Sequence, residues 1–254
     1  MLRAFLDGAV FGTTRGDGVP SVVLLHGWRR TSADFARVAD ALADQGVSSV
    51  AIDLPGFGAT PPPNVAMGAR GYAAHLAGLV ESMAASSSPP VIVGHSFGGR
   101  VAICLAASAP DCVAGIVLSS VPLVRAALPH ATMSRRYRAV RSAARLGLVS
   151  AARLEAARRR HGSADYRAAT GVVRDVLVAT VSESYEPELA ALGCPMALIW
   201  GASDTTVPLD VARAALDMVP GATLDVVDGV GHLVPTEAPD RLAAAVLTML
   251  RGTS

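Results

Sequence analysis

The chain has 254 residues, 51% hydrophobic and 17% charged, with a formal net charge of +1. That length suits one large domain with a sizeable core, and the composition excludes a largely disordered chain. A charge so close to zero gives no global electrostatic case for nucleic acid or a membrane surface. The three cysteines show no CxxC spacing, so no disulfide framework is expected.

At the N-terminus Asp7 and Gly8 interrupt the apolar residues, and no apolar run of about 18 residues occurs, so a cytoplasmic chain without signal peptide or membrane span is expected. Short apolar runs at residues 21–25, 47–52, 90–93, 115–119, 196–200 and 222–227 are rich in Val and Ile and do not alternate. That is the pattern of strands buried on both faces of a parallel sheet. Helical spacing covers residues 34–45, 71–85, 97–109, 209–219 and 239–250, each closed by Gly, Ser or Pro. The alternation predicts an α/β fold with helices on both faces of the sheet.

Residues 122–187 break this rhythm. They contain no clear strand and read as three helices, over 133–146, 150–160 and 165–181. The expected organisation is a core of residues 1–121 and 188–254 with a helical cap of residues 122–187. Such a cap would lie over the C-terminal ends of the strands, where open parallel sheets bind ligands.

The motifs follow in chain order. Leu25-His26-Gly27-Trp28 ends an early strand, and the Trp28 amide is a candidate donor to an oxyanion, with His26 holding the loop in shape. Trp28 and Arg29 could also line a substrate pocket; a purely structural Trp28 fits the sequence equally well. Asp53-Leu54-Pro55-Gly56-Phe57-Gly58 reads as a turn whose aspartate bonds backbone amides. Gly94-His95-Ser96-Phe97-Gly98 places Gly-x-Ser-x-Gly between a strand and a helix. A serine there sits on a strained turn that needs flanking glycines, and the Phe97 amide becomes a second oxyanion donor. The alternative is a glycine-rich turn with an incidental N-capping serine.

A serine hydroxyl needs a base, and the base needs a carboxylate to fix its tautomer. His232, in Gly229-Val230-Gly231-His232 after the last strand, fits the first role better than His26, His75, His95, His130 or His161. Asp204, in Gly201-Ala202-Ser203-Asp204 after another strand, fits the second, and no acid follows the strand at 115–119. The chain order Ser, Asp, His is the one this strand–turn–helix nucleophile uses.

Taken together, these motifs resemble the α/β-hydrolase superfamily over the core residues 1–121 and 188–254. The resemblance implies an eight-stranded, mostly parallel sheet, a helical cap, and neither metal nor organic cofactor. It assigns nucleophile, acid and base to Ser96, Asp204 and His232, and the oxyanion amides to Trp28 and Phe97. The chain is similar to small carboxylesterases and to C–C bond hydrolases. Haloalkane dehalogenases and epoxide hydrolases carry an aspartate where this chain has Ser96. Proline iminopeptidases carry His-Gly-Gly-Pro-Gly, where this chain continues from His26-Gly27 into Trp28-Arg29.

No lysine occurs, and 12 of the 22 arginines lie between Val121 and Pro187, against five acids. Arg138, Arg141 and Arg145 share one helix face, either as an anionic substrate entrance or, the favoured reading, as a solvated face. Gly162-Ser163-Ala164-Asp165-Tyr166-Arg167 looks motif-like without suggesting a role. The expected function is hydrolysis of a small-molecule ester or related acyl compound by a monomer or homodimer. C–C bond or amide hydrolysis by the same triad is the alternative, and a non-catalytic ligand receptor a third.

Overall fold

A computed structural model describes residues 1–125, 139–140, 142–144, 146–161 and 164–253. Eight strands form one sheet: β1 (Leu2–Phe5), β2 (Val10–Arg15), β3 (Val22–Leu25), β4 (Ser49–Asp53), β5 (Val91–His95), β6 (Gly115–Ser119), β7 (Met196–Gly201) and β8 (Thr223–Val227). Their order is β1-β2-β4-β3-β5-β6-β7-β8. The hairpin β1–β2 and the β2–β4 pair are antiparallel, and every pair from β4 to β8 is parallel.

The six strands expected from apolar runs are the parallel ones. The periodicity missed β1 and β2, because this outer antiparallel hairpin is solvated along most of its length and carries no continuous apolar run: β1 is the edge strand, and β2, between β1 and β4, reads Val-Phe-Gly-Thr-Thr-Arg, with only Val10 and Gly12 buried.

Alternate residues of each central strand serve opposite faces. Val23, Leu25, Val50, Ile52 and Ile92 pack against α2 (Ala69–Ser86) and α3 (Phe97–Ser108). Val22, Leu24, Ala51, Val91 and Val93 pack against α1 (Ala36–Ala43) and the C-terminal helix Pro239–Gly252. Each fully buried aliphatic side chain stabilises the fold by about 1.5–3 kcal/mol. The chain runs from β3 out to β4, then crosses back to β5, which pairs β3 with Leu25 opposite Gly94. This reversal is the topological switch point, and it sets the loops after β3 and β5 side by side.

Between β6 and β7 the described residues form α4 (Ala151–His161), α5 (Ala164–Ala168), α6 (Gly171–Ser182) and α7 (Glu186–Ala190). The single helix expected over 165–181 is two, separated at Ala169 and Thr170, and Gly171 opens the second at φ +52. Of the helix expected over 133–146, residues 139–140 and 142–144 are helical; 133–138, 141 and 145 lie outside the described residues. α7 straddles the expected boundary at 187/188.

A polar root ties this segment to the sheet's own helices. The Glu183 carboxylate accepts the Ala69 amide (2.7 Å) and the Tyr185 hydroxyl (2.8 Å). Arg70 forks onto Glu188 at 2.5 and 2.9 Å, and Arg100 donates to the Thr180 carbonyl beneath the Tyr185 ring. The chain then completes β7, α8 (Leu209–Met218), β8, α9 (Val234–Glu237) and α10 (Pro239–Gly252).

Candidate active site

Ser96 stands alone between β5 and α3 at φ +50 and ψ −109. A non-glycine residue reaches this region only where its surroundings force it there, at a cost of about 1–3 kcal/mol. The forcing comes from close backbone packing. A Cβ on Gly94 would clash with the Gly99 backbone, and one on Gly98 with the Leu25 and His26 carbonyls. The Gly98 amide instead donates to the His26 carbonyl at 3.0 Å, pinning α3 to the loop after β3. The Ser96 amide donates to the Ser119 carbonyl at 2.9 Å. The half-buried serine hydroxyl therefore stands at the C-terminal edge of the sheet, at the start of α3.

Asp204 and His232 come from the loops after β7 and β8, 28 residues apart. His232 Nδ1 lies 2.9 Å from Asp204 Oδ2. The other oxygen, Oδ1, accepts the Thr206 and Val207 amides, both at 2.9 Å. Trp200 Nε1 donates to the Val207 carbonyl and steadies this turn. The Asp204 carboxylate has no exposed surface, while the His232 ring is 23% exposed. Burial opposes ionisation of Asp204, but the hydrogen bonds from His232 and the Val207 amide outweigh it, so its pKa lies below the usual carboxylate value. Among the described residues Ser96 Oγ has no hydrogen-bond partner, His232 included. Such contacts commonly tighten only when substrate is bound.

His95, beside the nucleophile, points away from it. Its Nδ1 faces the Ser119 carbonyl (3.2 Å) and hydroxyl (3.1 Å), and its ring stands 5.1 Å from that of His232. Full burial, reinforced by His232, pushes its pKa down to about 3, so it is neutral. His26 has the loop-holding place expected of it. Its Nε2 accepts the Leu54 amide (3.0 Å), which puts the proton on Nδ1, 2.8 Å from the Gly27 carbonyl. Asp53 accepts the Ala59 amide in its own turn and the Ser32 amide from the loop after β3.

The amides of Trp28 and Phe97 have no acceptor among the described residues. The Trp28 ring meets Phe57 at 5.1 Å and Phe97 at 5.4 Å, edge-on, and Tyr72 adds a fourth ring against Phe97. Arg29, at φ +58, reaches across to Asp165 of α5 at 3.6 Å. Arg138, Arg141 and Arg145 lie outside the described residues.

Two contributors escaped the sequence reading. Glu237 accepts the Gly231 amide (2.6 Å) and the Leu233 amide (3.2 Å), and so braces the loop that carries His232. Ser119 holds both the Ser96 amide and His95. An acid five residues after a histidine, or a serine at a strand end, carries no signal of its own. Among the described residues no group of three or more His, Cys, Asp or Glu side chains could hold a metal ion, and no helix is long and apolar enough to cross a membrane.

Residues 22–245 match the family described as the alpha/beta hydrolase family. Curated relatives span almost the whole chain. The magnesium-chelatase 30 kDa subunit of Rhodobacter capsulatus is 29% identical, over 97% of this chain and 92% of its own. The 2-hydroxy-6-oxononadienedioate/2-hydroxy-6-oxononatrienedioate hydrolase of Burkholderia vietnamiensis is 26% identical, over 93% and 88%. The pimeloyl-(acyl-carrier protein) methyl ester esterase of Chromobacterium violaceum is 31% identical, over 85% and 87%.

Proposed function

The chain belongs to the alpha/beta hydrolase family, and on that premise we propose that it is a serine hydrolase cleaving a small-molecule carboxylic ester or related acyl compound. The observation that carries this reading is the 2.9 Å contact between His232 and a fully buried Asp204, on the sheet edge where Ser96 holds a strained backbone.

In this mechanism Asp204 Oδ2 accepts a hydrogen bond from Nδ1–H of His232, which keeps the proton on Nδ1 and leaves Nε2 free as a base. Nε2 takes the Ser96 hydroxyl proton while Oγ attacks the ester carbonyl. The tetrahedral oxyanion is bound by the Trp28 and Phe97 amides, whose hydrogens have no other acceptor among the described residues. His232 then gives its proton to the departing alkoxide, leaving an acyl group on Ser96. A water, deprotonated by His232, releases the carboxylic acid and restores the serine. The ionised Asp204 stabilises the imidazolium at both stages. The aromatic cluster of Trp28, Phe57 and Phe97 supports an apolar acyl site, and residues 122–187 form the cap that closes it. Arg29, at the seam with α5, is the substrate contact proposed from the core side; Arg138 and Arg141 are proposed from the cap.

The test is labelling by a fluorophosphonate probe, with Ser96→Ala alongside. Labelling that requires Ser96 supports the reading, and equal labelling of both proteins sinks it. A second reading is C–C bond hydrolysis by the same residues, favoured by the likeness to the Burkholderia vietnamiensis hydrolase. Turnover of a vinylogous diketone in preference to p-nitrophenyl esters would select it.

A further inference from the structure

β6 ends at Ser119, Ser120 follows it directly, and neither has exposed surface. Ser119 is occupied by the Ser96 amide and by His95. The Ser120 hydroxyl is buried with no hydrogen-bond partner, and its backbone sits at φ +53. A strained non-glycine residue and an unpaired buried hydroxyl each cost free energy, and packing accounts for neither.

β6 and β7 are neighbours with Ser119 level with Ile199, so Ser120 lies beside the end of β7, from which the chain runs to Asp204. An ionised carboxylate offers about four acceptor sites. On Asp204 three are filled, by the Thr206 and Val207 amides on Oδ1 and by His232 on Oδ2. The open site is on Oδ2, and the Ser120 hydroxyl is among the groups that favour the charged form of this carboxylate.

We propose that Ser120 is a positioning residue for Asp204: its hydroxyl donates to the remaining site on Oδ2 and fixes the rotation of the carboxylate against His232. The proposal rests on the serine-hydrolase reading above. It gives the end of β6 a double role, with Ser119 holding the nucleophile's amide and Ser120 holding the acid that orients the base.

The experiment measures p-nitrophenyl acetate hydrolysis and fluorophosphonate labelling rates for wild type, Ser120→Ala, Ser120→Gly, Asp204→Asn and the double variant Ser120→Ala/Asp204→Asn. Ser120→Ala should lower kcat about tenfold with KM unchanged, the loss of one hydrogen bond to a charged group. In the Asp204→Asn background the same change should cost less than about twofold, because the charge it serves is gone. Ser120→Gly should lose activity to the same extent while raising Tm, since glycine relieves the backbone. Equal losses in both backgrounds, or wild-type rates in Ser120→Ala and Ser120→Gly, would overturn the proposal. Wild-type protein that does not label at Ser96 would overturn the hydrolase reading and this proposal with it. Normal wild-type labelling with unaffected Ser120 variants would overturn this proposal alone.

Discussion

The sheet edge and the helices between β6 and β7 are built on different principles. At the edge, the Ser96 amide is held by the carbonyl of Ser119 at the end of a buried strand, the Asp204 carboxylate by the Thr206 and Val207 amides of its own turn, and the His232 ring by the buried Asp204 carboxylate. The helical segment is held chiefly by charged side chains, many of them partly solvated: Arg70 on Glu188, Arg174 on Glu155, Arg29 on Asp165. Hydrogen bonds to buried groups hold such side chains in one place. Solvated ion pairs, each contributing roughly 0–1 kcal/mol, can rearrange around different substrates.

Replacing Ser96 with Ala is the sharpest way to break this contrast. With kcat measured on p-nitrophenyl esters, a loss of about 10⁵–10⁶-fold is expected, the scale on which removing a triad nucleophile acts. Asp204→Asn should follow at about 10⁴-fold, because an amide leaves His232 in the wrong tautomer. A loss below about tenfold in either would remove that residue from the proposed triad.

The root of the helical segment offers the next effect. Glu183→Ala strips acceptors from the Ala69 amide and the Tyr185 hydroxyl, and should cost about 1–3 kcal/mol in urea unfolding. kcat on small esters should hold, since Glu183 touches none of the reacting groups. A loss of kcat without loss of stability would show that root and sheet edge are not separable in this way.

His95 sharpens the comparison through pH. Its folded pKa is about 3 against about 6.5 unfolded, so the unfolded chain takes up a proton that the native one refuses. Its contribution is therefore complete above pH 6.5 and is lost as pH falls towards 3, at up to about 1.4 kcal/mol per pH unit. His95→Asn, which can still donate to the Ser119 carbonyl, should flatten that slope by about one proton. An unchanged slope between pH 6 and 4 would refute the assignment.

The smallest effect belongs to Arg29. Arg29→Gly suits the positive φ there and removes the guanidinium. It should leave neutral esters unaffected and raise KM for anionic esters about two- to fivefold, within the range of an exposed ion pair. Equal KM changes for both ester classes would remove Arg29 from substrate selection.

How far the sequence was legible follows the same division. Six strands were readable from apolar runs: β3 to β7 are buried on both faces, which leaves such runs continuous, and β8 carries one although it is only partly buried. β1 and β2 were not, since this outer hairpin is largely solvated and needs no such run. The pairing of Asp204 with His232 was foreseeable from two loops that follow strands. The break at Ala169 and Thr170 was not, because helical spacing continues across it and only the positive φ of Gly171 marks the turn.

By itself the sequence determined the alternation of elements and the chemical types on offer at each strand end. Those are local properties, written as apolar periodicity, as glycines that permit close approach, and as the order of Ser, Asp and His. Only the tertiary structure decided which groups hold them: the Ser119 carbonyl under Ser96, the Thr206 and Val207 amides on Asp204, and the Glu237 carboxylate under the His232 loop. Those partners are ordinary in type, and Ser119 is distant in the chain from Ser96. Its role arises from the order of strands in the sheet, which sets β6 between the strand of the nucleophile and the strand that leads to the acid.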